Sequence, residues 1–489
     1  MSQPRSIFSR ELLPASLAIF STAALASFES LGVAAALPDI ATDLGNVALL
    51  PWVVTSYLLT SSLATVLAGP FIDSLGVNRM FRISVVIFTA TGFGIAFAPS
   101  MEILIVLRLL QGLGGGLILA TGTAAVSLVF PGHLVSRAFA ANSAVWGVMG
   151  VAGPAVAAAM LTFLSWHWIF YVNLPLGALA LYAGWKAMPG PYGEASGRFD
   201  AIGMLLLAAI TVATLMAVEA LDVVSFAWLA VAVLAVVLYV RHARRHQNPI
   251  VRLSHIIPQP YRGLAVSAAL LLTGTMAMST YIPLYVRAGL EGSPALTAWS
   301  VLPLTVGWTL GSIGSSRMGD RMSESRIILT GFLIGLPSLS LSWAAITFDF
   351  PLFVKYLFFL TSGSGTGMVT NAALTMLRSF AESSQVGRVV SAHLFARNQG
   401  FTFGSAIGGA VLLLVVTMHL GDLGLVRELI SSPEGAGPAG AAEAVRSGFA
   451  TTVATGVGIG LIGLVAALRM RHFLTERRVA LRGEEGRRL

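Results

Sequence analysis

The chain has 489 residues, 56% of them apolar and only 11% charged, with a mean hydropathy of +0.81. A soluble domain keeps about a quarter of its residues charged to solvate its surface, so the three soluble domains that the length alone suggests are excluded. The net charge of +8 would point to nucleic acid only if the basic residues clustered on a soluble scaffold, and their distribution decides the matter.

A transmembrane helix needs about 20 mainly apolar residues to cross roughly 30 Å of hydrocarbon. On that measure the sequence predicts fourteen spans. Six lie near 12–37, 48–72, 83–98, 103–129, 138–163 and 167–187. Two follow near 201–220 and 225–240, then six near 263–286, 297–316, 327–348, 350–377, 389–417 and 448–468. The Ala-Leu-Ala-Ser run at 24–27 has the look of a signal-peptide cleavage site, but similar spans follow to the end, so a first transmembrane helix is the better reading. Each segment is far too long for a barrel strand, which leaves helices as the spanning element.

Lysine and arginine set the orientation. With a cytoplasmic N-terminus, the inside segments hold 24 of the 30 basic residues, the outside loops hold Arg287, Arg427 and Arg446, and Arg108, Lys355 and Arg397 lie within spans. Both termini are therefore expected inside. The outside segment 419–447 is rich in Gly, Ala, Pro and Glu and reads as a surface loop. The basic tail from Arg469 suits the anionic inner leaflet. Arginine outnumbers lysine 28 to 2, a signature of a GC-rich genome rather than of a mechanism.

The spacing also carries an internal repeat. Asp73 and Arg79 follow span two, and Asp320 and Arg326 follow span ten, 247 residues later. The same offset carries Arg108 onto Lys355, and an offset of 251 carries Arg137 and Gly153 onto Arg388 and Gly404. Two six-helix halves related in parallel explain this, and transporters are commonly built from such repeats.

Gly69-Pro-Phe-Ile-Asp73-Ser-Leu-Gly76-Val-Asn-Arg79 resembles the cytoplasmic loop signature of the major facilitator superfamily. Arg108-Leu-Leu-Gln111-Gly112-Leu-Gly114 is similar to its fourth-helix motif, and Gly150-Val-Ala-Gly153-Pro154 to the antiporter motif of its fifth helix. Pro51-Trp52-Val-Val-Thr-Ser-Tyr57 and the run from Trp166 through Asn173 to Gly177 resemble the fourteen-helix drug:proton antiporter branch. The chain departs from the pattern at Ser74, where the loop signature usually has Arg, at Glu29, where the first helix usually carries Asp, and at Ala157 and Ala158, where glycines usually follow Gly-Pro. The resemblance implies an all-α polytopic fold. Its parts are a six-helix half over 1–187, two inserted helices with linkers over 188–246, a second half over 247–470 and a basic tail over 471–489.

Glu29 is the first candidate for chemistry, standing inside an otherwise uncharged span. Burial disfavours a carboxylate and a neighbouring cation favours it, so such a site can load and release a proton as its surroundings change. The bland alternative is a glutamate bonded permanently to a neighbouring helix. Arg108 lies in the same half of the membrane and must find partners, because a charge near the bilayer centre costs about 2.5–3.5 kcal/mol on insertion scales. Pairing with Glu29 in a proton-coupling role, which the resemblance implies, competes with a packing or snorkelling role.

Asp73, Arg79, Asp320, Arg321 and Arg326 flank short inner loops; the resemblance implies gating contacts, against simple solvation. Gly112, Gly114, Gly115 and Gly116 on span four should let helices approach closely. Gly150 and Gly153 suit a hinge or a tight interface, and Pro154 should kink span five. Gln111, Asn142, Trp146, Trp308, Arg397 and Asn398 are candidate substrate contacts, and Arg397 with Asn398 suits an anionic or polar group or simply braces span thirteen. Trp52, Trp166 and Trp168 read as an interfacial belt, and Glu219 with Asp222 as a solvated pair.

Seven of the eight histidines fall in loops or at helix ends, His393 alone reads as buried, and no pair shows metal-ligand context. Without cysteine there are no thiolate sites, and without a phosphate-binding loop there is no ATP-driven pump. The expectation is a monomeric, proton-gradient-driven exporter of amphipathic or lipophilic small molecules in a bacterial cell membrane. It would use no metal or cofactor and bind no nucleic acid. Export of an endogenous metabolite or lipid, or uncoupled facilitation or import, are the alternatives on the same fold.

Overall fold

A computed structural model describes residues 6–46, 49–190, 200–220, 224–382, 385–421 and 440–488. Helices α1 (Leu13–Leu44), α2 (Leu50–Ile95), α3 (Met101–Val129), α4 (Gly132–Phe163), α5 (His167–Tyr171) and α6 (Asn173–Gly184) come first. Next are α7 (Ala201–Ala220) and α8 (Val224–Ala243). The remainder are α9 (Tyr261–Leu284), α10 (Pro294–Trp299), α11 (Leu302–Met318), α12 (Glu324–Thr347), α13 (Leu352–Phe380), α14 (Val386–Leu420) and α15 (Ala441–Arg488).

Every apolar segment found in the sequence is helical, with instructive differences at the ends. The predicted second and third spans share α2, which is interrupted at Gly76 (φ 82°, ψ 155°). That left-handed backbone is open to glycine at little cost, so the chain turns there and resumes its helix at once. The third segment thus gains the turns before residue 83. Span six divides at Val172 into α5 and α6, and span ten opens with the short α10 before α11. Span five bends by 41° between Gly132–Gly150 and Ala155–Phe163, where a Gly-Pro pair predicted a kink. Among the described residues, seven helices are long and apolar enough to cross a membrane, or eight if that bent pair is one span.

Caps follow from local chemistry. Ser100 precedes α3 and its hydroxyl accepts from the Ile103 N–H, satisfying one of the helix's orphan donors. Ser293 does the same for α10, with Pro294 in its first turn.

The chain forms two compact units. The first comprises Met1–Thr211, Ala235–His255 and Leu374–Phe395; the second comprises Val212–Leu234, Ile256–Ala373 and Ala396–Leu489. In the first unit α2 and α3 make the most extensive contact. The glycines of α3 make this possible: a Cβ on Gly112 would meet the Tyr57 carbonyl at 2.5 Å, and one on Gly114 the Phe88 amide at 2.6 Å. Near one end of this unit, Phe28, Val33, Ile40, Val53, Leu104, Ile169 and Phe170 form a core. Trp166 joins that core rather than an interfacial belt. It is 3% exposed and its indole donates to Asp43 at 3.0 Å, whereas Trp52 and Trp168 are exposed. In the second unit the core gathers Leu272, Ile282, Tyr285, Leu339, Phe359 and Phe449, with Tyr285 stacked on Phe449 at 4.6 Å.

Candidate functional site

Four helices of the first unit bring their polar residues to one point. Glu29 on α1 and Gln111 on α3 are fully buried, and Arg108 on α3 is 2% exposed. One carboxylate oxygen of Glu29 accepts from the Arg108 guanidinium. The other accepts from the Asn173 side-chain amide at 2.8 Å, at the start of α6. The same Arg108 Nη1 donates to Gln111 Oε1 at 2.8 Å, and Nε donates to the Val53 carbonyl at 2.9 Å. The guanidinium lies over the Tyr57 ring, 4.5 Å from its centroid, an attraction that strengthens away from water.

A buried ion pair repays its desolvation only when its remaining hydrogen-bonding positions are also satisfied. Here both carboxylate oxygens and both donating guanidinium nitrogens have partners. Two atoms of the cluster do not: Gln111 Nε2 and Asn173 Oδ1 are buried without a hydrogen-bond partner among the described residues. Both side chains lie beside Gly92, whose Cβ would be 3.0 Å from Gln111 Nε2 and 3.2 Å from Asn173 Nδ2. The cluster therefore holds a carboxyl–guanidinium pair together with a spare donor and a spare acceptor.

The sequence singled out Glu29 and Arg108 and the structure joins them. Gln111, considered there as a substrate contact, lies in this cluster. Tyr57 and Asn173 were visible only as members of family-like motifs, without a role. The Val53 carbonyl has no sequence signal at all, because any residue supplies one.

A second constellation lies on α2 just before its break at Gly76. Asp73 accepts from the backbone N–H groups of Gly387 at 2.8 Å and Arg388 at 3.1 Å, in the first turn of α14. A carboxylate there meets both the orphan donors and the positive end of the helix. The approach is close: a Cβ on Gly69 would lie 3.0 Å from the Arg388 Cα, and one on Gly387 would lie 2.5 Å from Asp73 Oδ1. Arg388 Nε stands 3.7 Å from Asp73 Oδ2, and Arg378 near the end of α13 donates to the Ser127 carbonyl at 2.5 Å. His255 adds a contact outside the helices, its Nε2 lying 2.9 Å from Gln385 Oε1. Burial holds this imidazole below the usual histidine range, against the raising effect of the Gln385 bond. The sequence placed His255 in a loop, and the structure buries it there.

Of the other gating candidates, Arg79 on α2 beyond Gly76, Asp320 and Arg321 between α11 and α12, and Arg326 in the first turn of α12 are all exposed. Gly153 is buried and Gly150 half-buried at the bend of α4, while the Pro154 side chain lies outside the described residues. Glu219, as a side chain, and Asp222 also lie outside them. Asn142 and Trp146 are half-buried on α4. In the second unit, Trp308 stacks on Phe401 at 6.3 Å, and Arg397 and Asn398 are half-buried on α14. Arg397 Nε is buried without a hydrogen-bond partner among the described residues. Lys355, the repeat counterpart of Arg108, is 2% exposed and donates to Asp349 at 2.8 Å, which stands 64% exposed before α13.

Residues 17–405 match the sequence profile described as Major Facilitator Superfamily. The chain belongs to the major facilitator superfamily. This superfamily member is a membrane transporter of small molecules and not an enzyme. It is 25% identical over 389 residues to the multidrug transporter protein MdtP of Bacillus subtilis, covering 78% of this chain and 71% of that one. It is 27% identical over 403 residues to multidrug resistance protein 3 of the same organism, covering 80% and 77%. Among solved structures, the human organic anion transporter MFSD10 matches with a TM-score of 0.63 at 15% identity, covering 95% of this chain and all of that one. That likeness shows the all-helical superfamily fold.

Proposed function

We propose that this transporter exports amphipathic or lipophilic small molecules, drugs and antibiotics among them, in exchange for protons. It would do so with fourteen transmembrane helices and both termini in the cytoplasm of a bacterial cell. The observation that carries the reading is the Glu29–Arg108 pair, a fully buried carboxylate held to a buried cation on a neighbouring helix. Intramembrane ionisable residues mark ion and substrate pathways. When Glu29 takes a proton it loses its charge and gains a donor, and Arg108 loses its counter-charge. Asn173 can then rotate its amide and offer the spare Oδ1 as acceptor, so the network has a hydrogen-bonded arrangement for each protonation state.

The loop contacts supply the second half of the mechanism. Within the first unit, Asp73 and Ser127 hold the adjoining ends of α13 and α14 through Arg378, Gly387 and Arg388. Alternating access requires these bonds to break and re-form as the two halves rock. In the second unit, the unsatisfied Arg397 Nε and the Trp308–Phe401 stack favour a substrate with an aromatic or apolar body and a hydrogen-bond acceptor. The names of the relatives favour drug efflux over export of an endogenous compound.

The test is reconstitution in proteoliposomes with an imposed pH gradient. Addition of a substrate found by screening a deletion strain across a compound panel should move protons across the bilayer. Substrate flux without proton movement would establish an uncoupled facilitator instead.

A further inference from the structure

We propose that Asp200, His242 and His246 form a binding site for a divalent transition-metal ion of the zinc class, which ties the start of α7 to the end of α8. Asp200 stands 42 residues before His242 in the sequence, and all three residues belong to one compact unit. Ligand atoms of the two imidazoles and the carboxylate all lie within 4.8 Å of one another.

Asp200 precedes α7 and is 3% exposed. Its Oδ1 accepts from the Gly203 N–H at 2.8 Å and its Oδ2 from the Ile250 N–H at 3.2 Å, so the carboxylate is fixed before any ion arrives. His242, in the last turn of α8, brings Nε2 to 2.6 Å from Asp200 Oδ1. His246 follows four residues later, and its N–H bonds the His242 carbonyl at 2.9 Å, which carries the helical register past the end of α8. The two rings stack at 5.1 Å and 30°. His-x-x-x-His in that register places both imidazoles on one face, the arrangement by which helices chelate zinc.

A zinc ion needs ligand distances of about 2.0–2.2 Å. Bringing the present ligands to that geometry takes rotation of the half-exposed His246 ring and a slight opening of the His242–Asp200 contact. The Asp200–His242 hydrogen bond alone needs no metal; it also does not account for His246, whose Nδ1 receives only a 3.3 Å contact from the Asn248 N–H. His246 is therefore the discriminating residue. Arg241, Arg244 and Arg245 are exposed beside the site and lower its affinity without abolishing it, because solvent and salt screen exposed charges.

The test uses the full chain in detergent, free of any histidine tag, titrated with zinc chloride against a chromophoric chelator, with thermal denaturation in parallel. The native chain should bind one zinc per molecule and melt at a higher temperature with zinc. His246→Ala should melt as the native chain does without zinc, yet bind zinc at least about tenfold more weakly, the lower end of what disturbing even a ligand's support costs. Asp200→Asn should lose the zinc-induced stabilisation as well; if it does not fold, His246→Ala decides. Absence of stoichiometric binding to the native chain, or native affinity in His246→Ala, overturns the site, and neither outcome bears on proton coupling.

Discussion

Replacing Glu29 by Gln tests the coupling reading most directly, because the structure shows what the substitution keeps. The new side chain retains an oxygen that can accept from Arg108. Its NH2 group then faces the Asn173 amide, a donor against a donor, but Asn173 Oδ1 has no partner among the described residues and can turn to meet it. Arg108 keeps its bonds to the Val53 carbonyl and Gln111 and its seat over Tyr57. Breaking a buried ion pair outright costs about 3–5 kcal/mol. With the hydrogen bonds retained, the loss should fall to about 1–3 kcal/mol, which a fold stable by roughly 5–15 kcal/mol survives. The variant should therefore insert and purify, with nothing left to carry a proton. One pH unit corresponds to about 1.36 kcal/mol per proton, so a gradient of two units supports roughly 100-fold substrate accumulation at one proton exchanged per substrate. In proteoliposomes Glu29→Gln should let substrate equilibrate but not accumulate, and no substrate-induced proton flux should appear. Accumulation at the native ratio in that variant would refute the assignment of Glu29.

Asp73→Ala removes the acceptor for two N–H groups of α14 and should weaken that contact by about 0.5–2 kcal/mol, as loss of a helix cap does. Since the chain has no cysteine, a single cysteine at the buried Ser391 reports the change, and thiol labelling should rise severalfold with Asp73→Ala; unchanged labelling would leave Asp73 without a clamping role. Gly116→Val drives a side chain into the Ser61 carbonyl across the α2–α3 contact, whereas Gly122 has only Thr22 Oγ1 within reach, at 3.9 Å. Overpacking of a tight core costs about 1–3 kcal/mol or more, so Gly116→Val should lower the melting temperature in detergent and Gly122→Ala should not. His255, held below the usual histidine range by burial, binds fewer protons in the folded than in the unfolded chain below about pH 6.5. Its contribution to stability is complete above that pH and is lost as pH falls through the folded value. Melting curves from pH 8 to 5 should therefore fall less steeply for His255→Gln; superimposable slopes would remove His255 as the cause.

Much of the architecture was legible because the bilayer imposes one dominant rule: long apolar helices with basic residues sorted between them. The finer break at Gly76 was not, since that residue interrupts a helix by backbone torsion while the apolar pattern continues through it. At the site, a lone acid and a lone base in apolar spans stand out by their cost, which is why Glu29 and Arg108 were found. Asn173, Tyr57 and the Val53 carbonyl carry no such cost in sequence and emerge only from packing. Trp166 shows the converse: an indole near a span end suits the interface, yet here it is buried by its bond to Asp43. Asp200, His242 and His246 escaped notice because the histidines were weighed one by one by their place in loops. The i, i+4 spacing of two of them was the available signal, and the distant aspartate was not.

The repeat gives a reason to place coupling in the first half rather than the second. Arg108 and Lys355 occupy equivalent positions, and each is 2% exposed and paired with a carboxylate. The carboxylates differ. Glu29 is fully buried, so any change in its charge falls among groups removed from solvent. Asp349 stands 64% exposed in the loop before α13, and its bond to Lys355 holds it below the usual carboxyl range, so it stays ionised and hydrated. Protonation of such a group costs little reorganisation and exerts little leverage on helix packing. One ancestral pattern thus carries two outcomes: a cation braced at a loop in the second half, and a cation sharing a buried, titratable partner in the first.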